Sequence, residues 1–223
     1  MPWFFAEREG GQRAAIVGGD ARHLARSLRA RVGEEIEVVD PAGFILTVRL
    51  ESVSAERVEG AIVAERVHQP EPTARITIAI ANLPAPALDL VLSRCTEAGA
   101  AAFQVFQADR SVGSGSKRER WLTVCREAAM LAGRLRVPDV AGPSSLEELL
   151  KLVEHPVMLV RDAPVALSDM REPHDLTLLI GPEGGWTDRE LALVSTRASL
   201  GPRNLRADTA ALVGLAIALA SRE

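Results

Sequence analysis

The chain contains no tyrosine, and aromatic residues make up only 4% of its 223 positions. That scarcity argues against an extended base-stacking platform for single-stranded nucleic acid. Cysteine is equally sparse: Cys95 and Cys125 are the only two, both inside amphipathic patterns. A disulfide framework is thereby excluded, and a reducing compartment is expected. The opening Met1-Pro2-Trp3-Phe4-Phe5 lacks the charged start and long apolar core of a signal peptide. The most apolar tract, Ala210 to Ala220, is too short to span a bilayer. These absences predict a cytoplasmic protein with no membrane partner. His23, His68, His155 and His174 do not cluster with the cysteines at metal-ligand spacing, so no metal is expected. The sequence also lacks a G-x-S-x-G elbow, a G-x-G-x-x-G fingerprint and a phosphate-binding Gly-Lys-Ser/Thr loop.

What remains is an ordinary globular composition, 47% hydrophobic and 25% charged, with a formal charge of −4. The first 67 or so residues read as a small mixed unit. Asp20 can cap a helix over roughly residues 21–31, with Gly33 ending it. Glu35 to Val39 and Phe44 to Leu50 read as strands around an Asp40-Pro41-Ala42-Gly43 turn, and Val58 to Val67 as another. His68 to Thr73, with two prolines, marks a linker. From Arg75 strands and helices alternate. Ile76, Ile78 and Ile80 have strand period, as do Phe103 to Phe106, Val157 to Val160 and Thr177 to Ile180. Leu88, Val91, Leu92 and Cys95 share a helix face closed by Gly99, and Lys117 to about Leu131 forms a second helix. Thr187 with Glu190 is a capping-box signature, and a small-residue helix runs from Asp208 to about Ser221. The alternation predicts an α/β fold, a mainly parallel sheet with helices on both faces.

Two loop-to-helix elbows near the C-terminus carry the chemistry. The first is Leu179-Ile180-Gly181-Pro182-Glu183-Gly184-Gly185 with Trp186 and Thr187; the second is Leu200-Gly201-Pro202-Arg203-Asn204-Leu205-Arg206-Ala207-Asp208. Adjacent glycines let backbone approach a ligand closely. By composition the first elbow is either a tight turn or a ligand loop, and its place at a strand's carboxyl end favours the ligand. Arg206 is either a solvated arginine or a cation able to stabilise a developing oxyanion; Asp208 is either a helix-terminal acid or a catalytic group. Two basic clusters interrupt the acidic background. Arg22, Arg26 and Arg29 recur at helical spacing, and Arg110, Arg118, Arg134 and Arg136 crowd a window holding only Glu119 and Glu127 as acids. A single charge run is usually a solvated face, but two runs on separate domains of an acidic protein are better explained by phosphate contacts.

Together the paired C-terminal motifs resemble those of the RsmE family, the 16S ribosomal RNA uridine N3-methyltransferases of the SPOUT class. Phe4-Phe5, His23-Leu24, Asp109-Arg110-Ser111 and Gly133-Arg134 match in order. The resemblance implies a β-rich PUA-like RNA-binding domain over residues 1–70 and a trefoil-knotted SPOUT domain over 74–223. It further implies a homodimer acting on 16S ribosomal RNA or the small ribosomal subunit. S-adenosylmethionine would be held by Leu159, Gly181, Pro182, Glu183, Gly184, Gly185, Leu200, Gly201, Leu205 and Arg206, with the strand end through Asp162 as a further wall. Catalysis would fall to Arg206, Arg134 and Asp208. RNA phosphates would meet Arg22, Arg26, Arg29, Arg110, Arg118, Arg134 and Arg136. The chain departs from the family at Met130-Leu131, where Glu-Gln is usual, and at Asn204 and Asp208, where an aliphatic residue and a glutamate are usual. The alternative is a divergent relative that binds cofactor and RNA but modifies another position, or none.

Overall fold

The computed structural model describes residues 3–113 and 115–222. The chain divides into two compact units, one of residues up to Glu71 with Ala129–Arg136, the other of Pro72–Ala128 with Val137 onward. Residues 129–136 thus group with the N-terminal segment although they follow some sixty residues of the second unit; the sequence pattern alone does not signal this.

The first unit is built on a six-stranded sheet. Its strands are β1 (Phe4–Phe5), β2 (Glu7–Glu9), β3 (Arg13–Val17), β4 (Glu35–Asp40), β5 (Phe44–Val53) and β6 (Arg57–Val67), in the order β1-β4-β5-β6-β3-β2. The expected β4–β5 hairpin pairs Asp40 with Phe44. The Asp40 carboxylate accepts from Ala42 N at 2.9 Å, and Gly43 takes φ +104°, the chemistry that made the turn readable. The helix expected over 21–31 is instead a short α1 (Gly18–Arg22) running into a π-helical turn, His23–Ser27. Asp20 therefore sits in the first turn and Val17 is the cap residue, without a side-chain cap bond. Arg29 lies outside the helix at φ +56°, so Arg22, Arg26 and Arg29 do not form one helical stripe.

The second unit carries a wholly parallel six-stranded sheet. Its strands are β7 (Ile76–Ala81), β8 (Ala102–Gln107), β9 (Asp139–Ser145), β10 (Pro156–Leu159), β11 (Leu176–Ile180) and β12 (Arg197–Ala198), in the order β12-β10-β11-β7-β8-β9. Period-two burial sorts its faces. Ile76, Ile78, Ile80, Leu176, Leu178 and Ile180 pack with α2 (Ala85–Glu97), α3 (Arg118–Ala132) and α6 (Ala207–Ala220). Ala79, Ala81, Phe106, Met158 and Leu179 pack on the opposite side with α4 (Leu146–Leu150) and the region of α5 (Asp188–Leu193). With both faces covered, the strands read as continuous apolar runs. α6 approaches the sheet closely because Gly214 has no side chain: a Cβ there would lie 3.0 Å from Leu159 Cδ1 and 3.4 Å from Leu178 Cδ1. The chain runs from β7 outward to β8 and β9, then returns to place β11 on β7's other side. That reversal is the switch point at which open α/β sheets gather ligands.

Candidate active site

Beside this switch, where β10 and β11 end, the structure has a cavity of about 430 Å³. Of the residues assigned to cofactor from sequence, Leu159, Gly181, Pro182, Glu183, Gly185, Leu200, Gly201 and Leu205 line it. The wall expected beyond Leu159 is present as Val160, Arg161 and Asp162. Gly184 and Arg206 are not lining residues. Gly184 lies behind the wall against the Arg110 side chain, and Arg206 is the N-cap residue of α6 with an exposed side chain. Asp208, in the first turn of α6, accepts from Thr209 N at 2.7 Å, which leaves it ordering the helix start.

The first elbow is held by a residue that sequence reasoning passed over. Trp186 lines the cavity, donates its indole N–H to Leu159 O at 3.0 Å, and stacks on Phe106 with centroids 5.9 Å apart and planes 2° from parallel. The signal available was a tryptophan directly after two glycines in a chain with few aromatics. Gly185 takes φ +72°, and its N–H donates to Pro182 O at 2.9 Å, closing the turn. Immediately beyond, Thr187 and Glu190 form the expected capping box. Glu190 is fully buried, and its carboxylate also accepts from Asp109 N at 2.9 Å, joining the turn after β8 to the start of α5. Asp109 in turn accepts from the Thr187 hydroxyl at 2.7 Å and from Arg189 at 2.6 Å. Those hydrogen bonds, Arg189 first, hold its carboxyl below the usual aspartate range.

The second elbow meets the first wall through Arg161. Its guanidinium pairs with Asp162 at 2.7 Å and donates to Asn204 Oδ1 at 2.9 Å. Asn204, the departure from the family's aliphatic residue, is therefore a hydrogen-bond acceptor at the cavity rim.

The residues assigned to RNA fall into different surroundings. In the second unit, Arg110 donates to Gly184 O at 2.9 Å, and Arg118 donates to Val140 O at 3.1 Å. In the first unit, Arg134 is 5% exposed and its guanidinium grips the Glu71 carboxylate, with Nη2 2.5 Å from Oε2. Leu135 N donates to the same carboxylate at 2.9 Å. Arg134 is enclosed and Glu71 half-buried, and the shared carboxylate ties residues 134 and 135 to the linker. Arg136 is exposed. Met130, the apolar departure, is buried with Leu46, Val48 and their neighbours in the first unit's core, which explains its lack of polarity; nothing in the structure explains Leu131, which is exposed. On the first unit's sheet, Arg8, Arg13, Arg49, Arg57 and Arg66 are each paired with Asp or Glu. Arg22, Arg26 and Arg29 are exposed and carry no such ion pair among the described residues. Local positive charge in this unit therefore concentrates at the π-helical turn.

Thiol chemistry does not enter the site. Burial, with Cys125 nearby, pushes the Cys95 thiol up to about 12, so it carries no nucleophilic thiolate near neutrality. Among the described residues no group of His, Cys, Asp or Glu could hold a metal ion, and no helix is long and apolar enough to cross a membrane.

Comparison with known proteins gives the chain's family. Residues 69–219 match the model of an RNA methyltransferase domain, and residues 18–63 that of an RNA methyltransferase PUA domain. The chain is 32% identical to ribosomal RNA small subunit methyltransferase E of Synechocystis sp., over 90% of this chain and 71% of that one. It is 29% identical to the protein of the same name from Bacillus subtilis, over 90% and 87% of the two chains. Among solved structures, ribosomal RNA small subunit methyltransferase E from Neisseria gonorrhoeae, bound to S-adenosyl methionine, superposes with a TM-score of 0.86. That pair is 28% identical and the match covers 97% of this chain and 95% of the other.

Proposed function

Because the chain belongs to the ribosomal RNA small subunit methyltransferase E family, we propose that it methylates N3 of a uridine in 16S ribosomal RNA with S-adenosylmethionine as donor. The observation that carries this reading is the cavity of about 430 Å³ walled by both elbows. Its size lies within the range of small-molecule sites. Leu159, Ile180, Leu200 and Leu205 offer apolar surface, while Gly181, Gly185 and Gly201 leave backbone groups open to a ligand. Glu183 suits a cationic sulfonium and Arg203 a carboxylate, while the Arg161–Asp162 pair gives a polar edge, so the lining fits the group. When bound, S-adenosylmethionine supplies a methyl group already activated on its sulfonium. The chain's own residues then have two tasks: to align the base with that methyl, and to ease loss of the N3 proton. Alignment contributes several kcal/mol of the barrier. Arg206, at the start of α6, favours the deprotonated uracil through its guanidinium. Asp208 keeps the first turn of α6 in place beside it.

Within the same proposal, residues 1–70 form the PUA-like RNA-binding domain and 74–223 the knotted SPOUT domain. Arg22, Arg26, Arg29 and Arg136 meet RNA phosphates, which position the substrate without reading its sequence. The working form is a cytoplasmic homodimer.

The test uses small ribosomal subunits lacking the modification, labelled S-adenosylmethionine and mapping of the labelled base. Label on a uridine N3 supports the proposal; cofactor binding without transfer to RNA overturns it. Arg206→Ala should lower the transfer rate about a hundredfold while leaving the melting temperature unchanged. An unaltered rate removes Arg206 from the mechanism.

A further inference from the structure

We infer that Arg110 is a positioning residue that braces the cofactor elbow from behind, and so sets cofactor affinity in the absence of RNA. The inference rests on the proposed cofactor site. Charge clustering had placed Arg110 among the phosphate contacts, but its geometry serves another purpose. Its Nη1 donates to Gly184 O at 2.9 Å and reaches Trp186 O at 3.4 Å, two carbonyls on either side of Gly185. The aliphatic stem lies flat on Gly184: a Cβ there would meet Arg110 Cβ at 3.1 Å and Cδ at 3.4 Å. The guanidinium therefore fixes the carbonyl directions while the stem covers the side-chain-free backbone.

An elbow with two adjacent glycines needs such a brace. Glycine loses more conformational freedom on ordering than any other residue, and Gly184-Gly185 has no side chains to anchor it. Gly185 and Trp186 face the cavity; Gly184, between them and Arg110, does not. A brace on Gly184 thus acts on cofactor through the wall and leaves the cavity open.

Arg110 can brace the elbow because its own turn is fixed. Ala108 N donates to Ser111 Oγ and Ser111 N to Ala108 O, both at 3.0 Å. Asp109 is held by Glu190, Thr187 and Arg189 on α5. The turn after β8 and the elbow after β11 are therefore joined twice, through Asp109 at the start of α5 and through Arg110 at Gly184. A preorganised loop binds its ligand more tightly because less ordering is left to the binding step.

The experiment compares the full-length protein with Arg110→Ala, Arg110→Met and Arg110→Lys. Binding of S-adenosylmethionine and S-adenosylhomocysteine is measured by calorimetry without RNA. RNA binding is measured over a salt series, and KM for cofactor and kcat are taken from the transfer assay. Arg110→Met keeps a stem over Gly184 and removes the donors. It should weaken cofactor binding about tenfold and raise KM with little change in kcat, while the salt slope of RNA binding stays unchanged. Arg110→Lys, which can satisfy one carbonyl, should recover part of the loss. Arg110→Ala should lose at least as much as Arg110→Met; if it does not fold, Arg110→Met still decides. Unchanged cofactor affinity with a shallower salt slope overturns the inference and returns Arg110 to the phosphate contacts. Failure of the unaltered protein to bind either cofactor would instead overturn the proposed function.

Discussion

Replacing Gly181 by alanine tests the packing at the centre of the site. An added Cβ would lie 2.8 Å from Trp186 Cε2 and 3.1 Å from Cδ2 and Nε1, where ordinary contact begins at 3.4 Å. The indole cannot simply slide away. Its N–H is bonded to Leu159 O at 3.0 Å, and its ring lies parallel on Phe106. Overpacking of this kind costs about 1–3 kcal/mol, and a displaced indole also forfeits a hydrogen bond of about 1 kcal/mol. We therefore expect Gly181→Ala to destabilise the protein by about 2 kcal/mol in urea unfolding. Gly181 and Trp186 both line the cavity, so cofactor binding should fall about tenfold, or about 1.4 kcal/mol. The double variant Gly181→Ala/Trp186→Leu removes the clashing ring. Its stability should exceed the sum of the single effects by about 1 kcal/mol or more. Additivity to within about 0.5 kcal/mol, or a neutral Gly181→Ala, would refute the packing argument.

Other changes probe the supports of the site. Glu190→Ala leaves the Asp109 and Thr187 N–H groups without their acceptor and should cost about 3 kcal/mol in chemical denaturation; Glu190→Gln should restore about half. Asp109 titrates below its ordinary value of 3.8 in the folded protein. Its contribution to stability is therefore present above that value and is lost as pH falls through the lower folded one. Thermal stability should fall on acidification below about pH 4, and Asp109→Asn should flatten that decline; an identical acid limb in both proteins would exclude Asp109 as its source. Asn204→Leu, which installs the aliphatic type usual in the family, should release Arg161 and weaken cofactor binding. A double-mutant cycle with Arg161→Ala should give a small but measurable coupling, because the pair is exposed. No coupling would mean that the Arg161–Asn204 bond does not shape the site.

Much of the fold was readable because local chemistry and tertiary packing agree. The period-two isoleucines of β7, the Thr187–Glu190 capping box and the Asp40–Gly43 turn each encode their conformation within a few residues. Several of the elements missed lack that coincidence, although α4, also missed, has a Ser145–Glu148 capping box. β1 and β2 are two and three residues long, too short for a period to register. β9 contains Gly142-Pro143, which reads as a loop, and it is tolerated because β9 is the edge strand of its sheet. The helix over 21–31 failed because residues 23–27 widen into a π-turn, a backbone choice that residue spacing does not report.

The sequence by itself determined the two glycine elbows and most of the cavity wall, because a backbone-lined pocket needs particular residues at particular positions. It did not determine which arginines are committed elsewhere. Charge clustering treats Arg110, Arg118 and Arg134 alike as phosphate contacts. Tertiary structure assigns the first to a glycine carbonyl, the second to Val140 and the third to the half-buried Glu71 carboxylate. The physical reason is that a guanidinium's partner is set by what the fold brings within 3 Å or so of it, from residues as distant in sequence as Gly184 and Glu71. Trp186 illustrates the same limit: its composition was visible, but only the packed sheet decided that it would hold the elbow against Leu159 and Phe106.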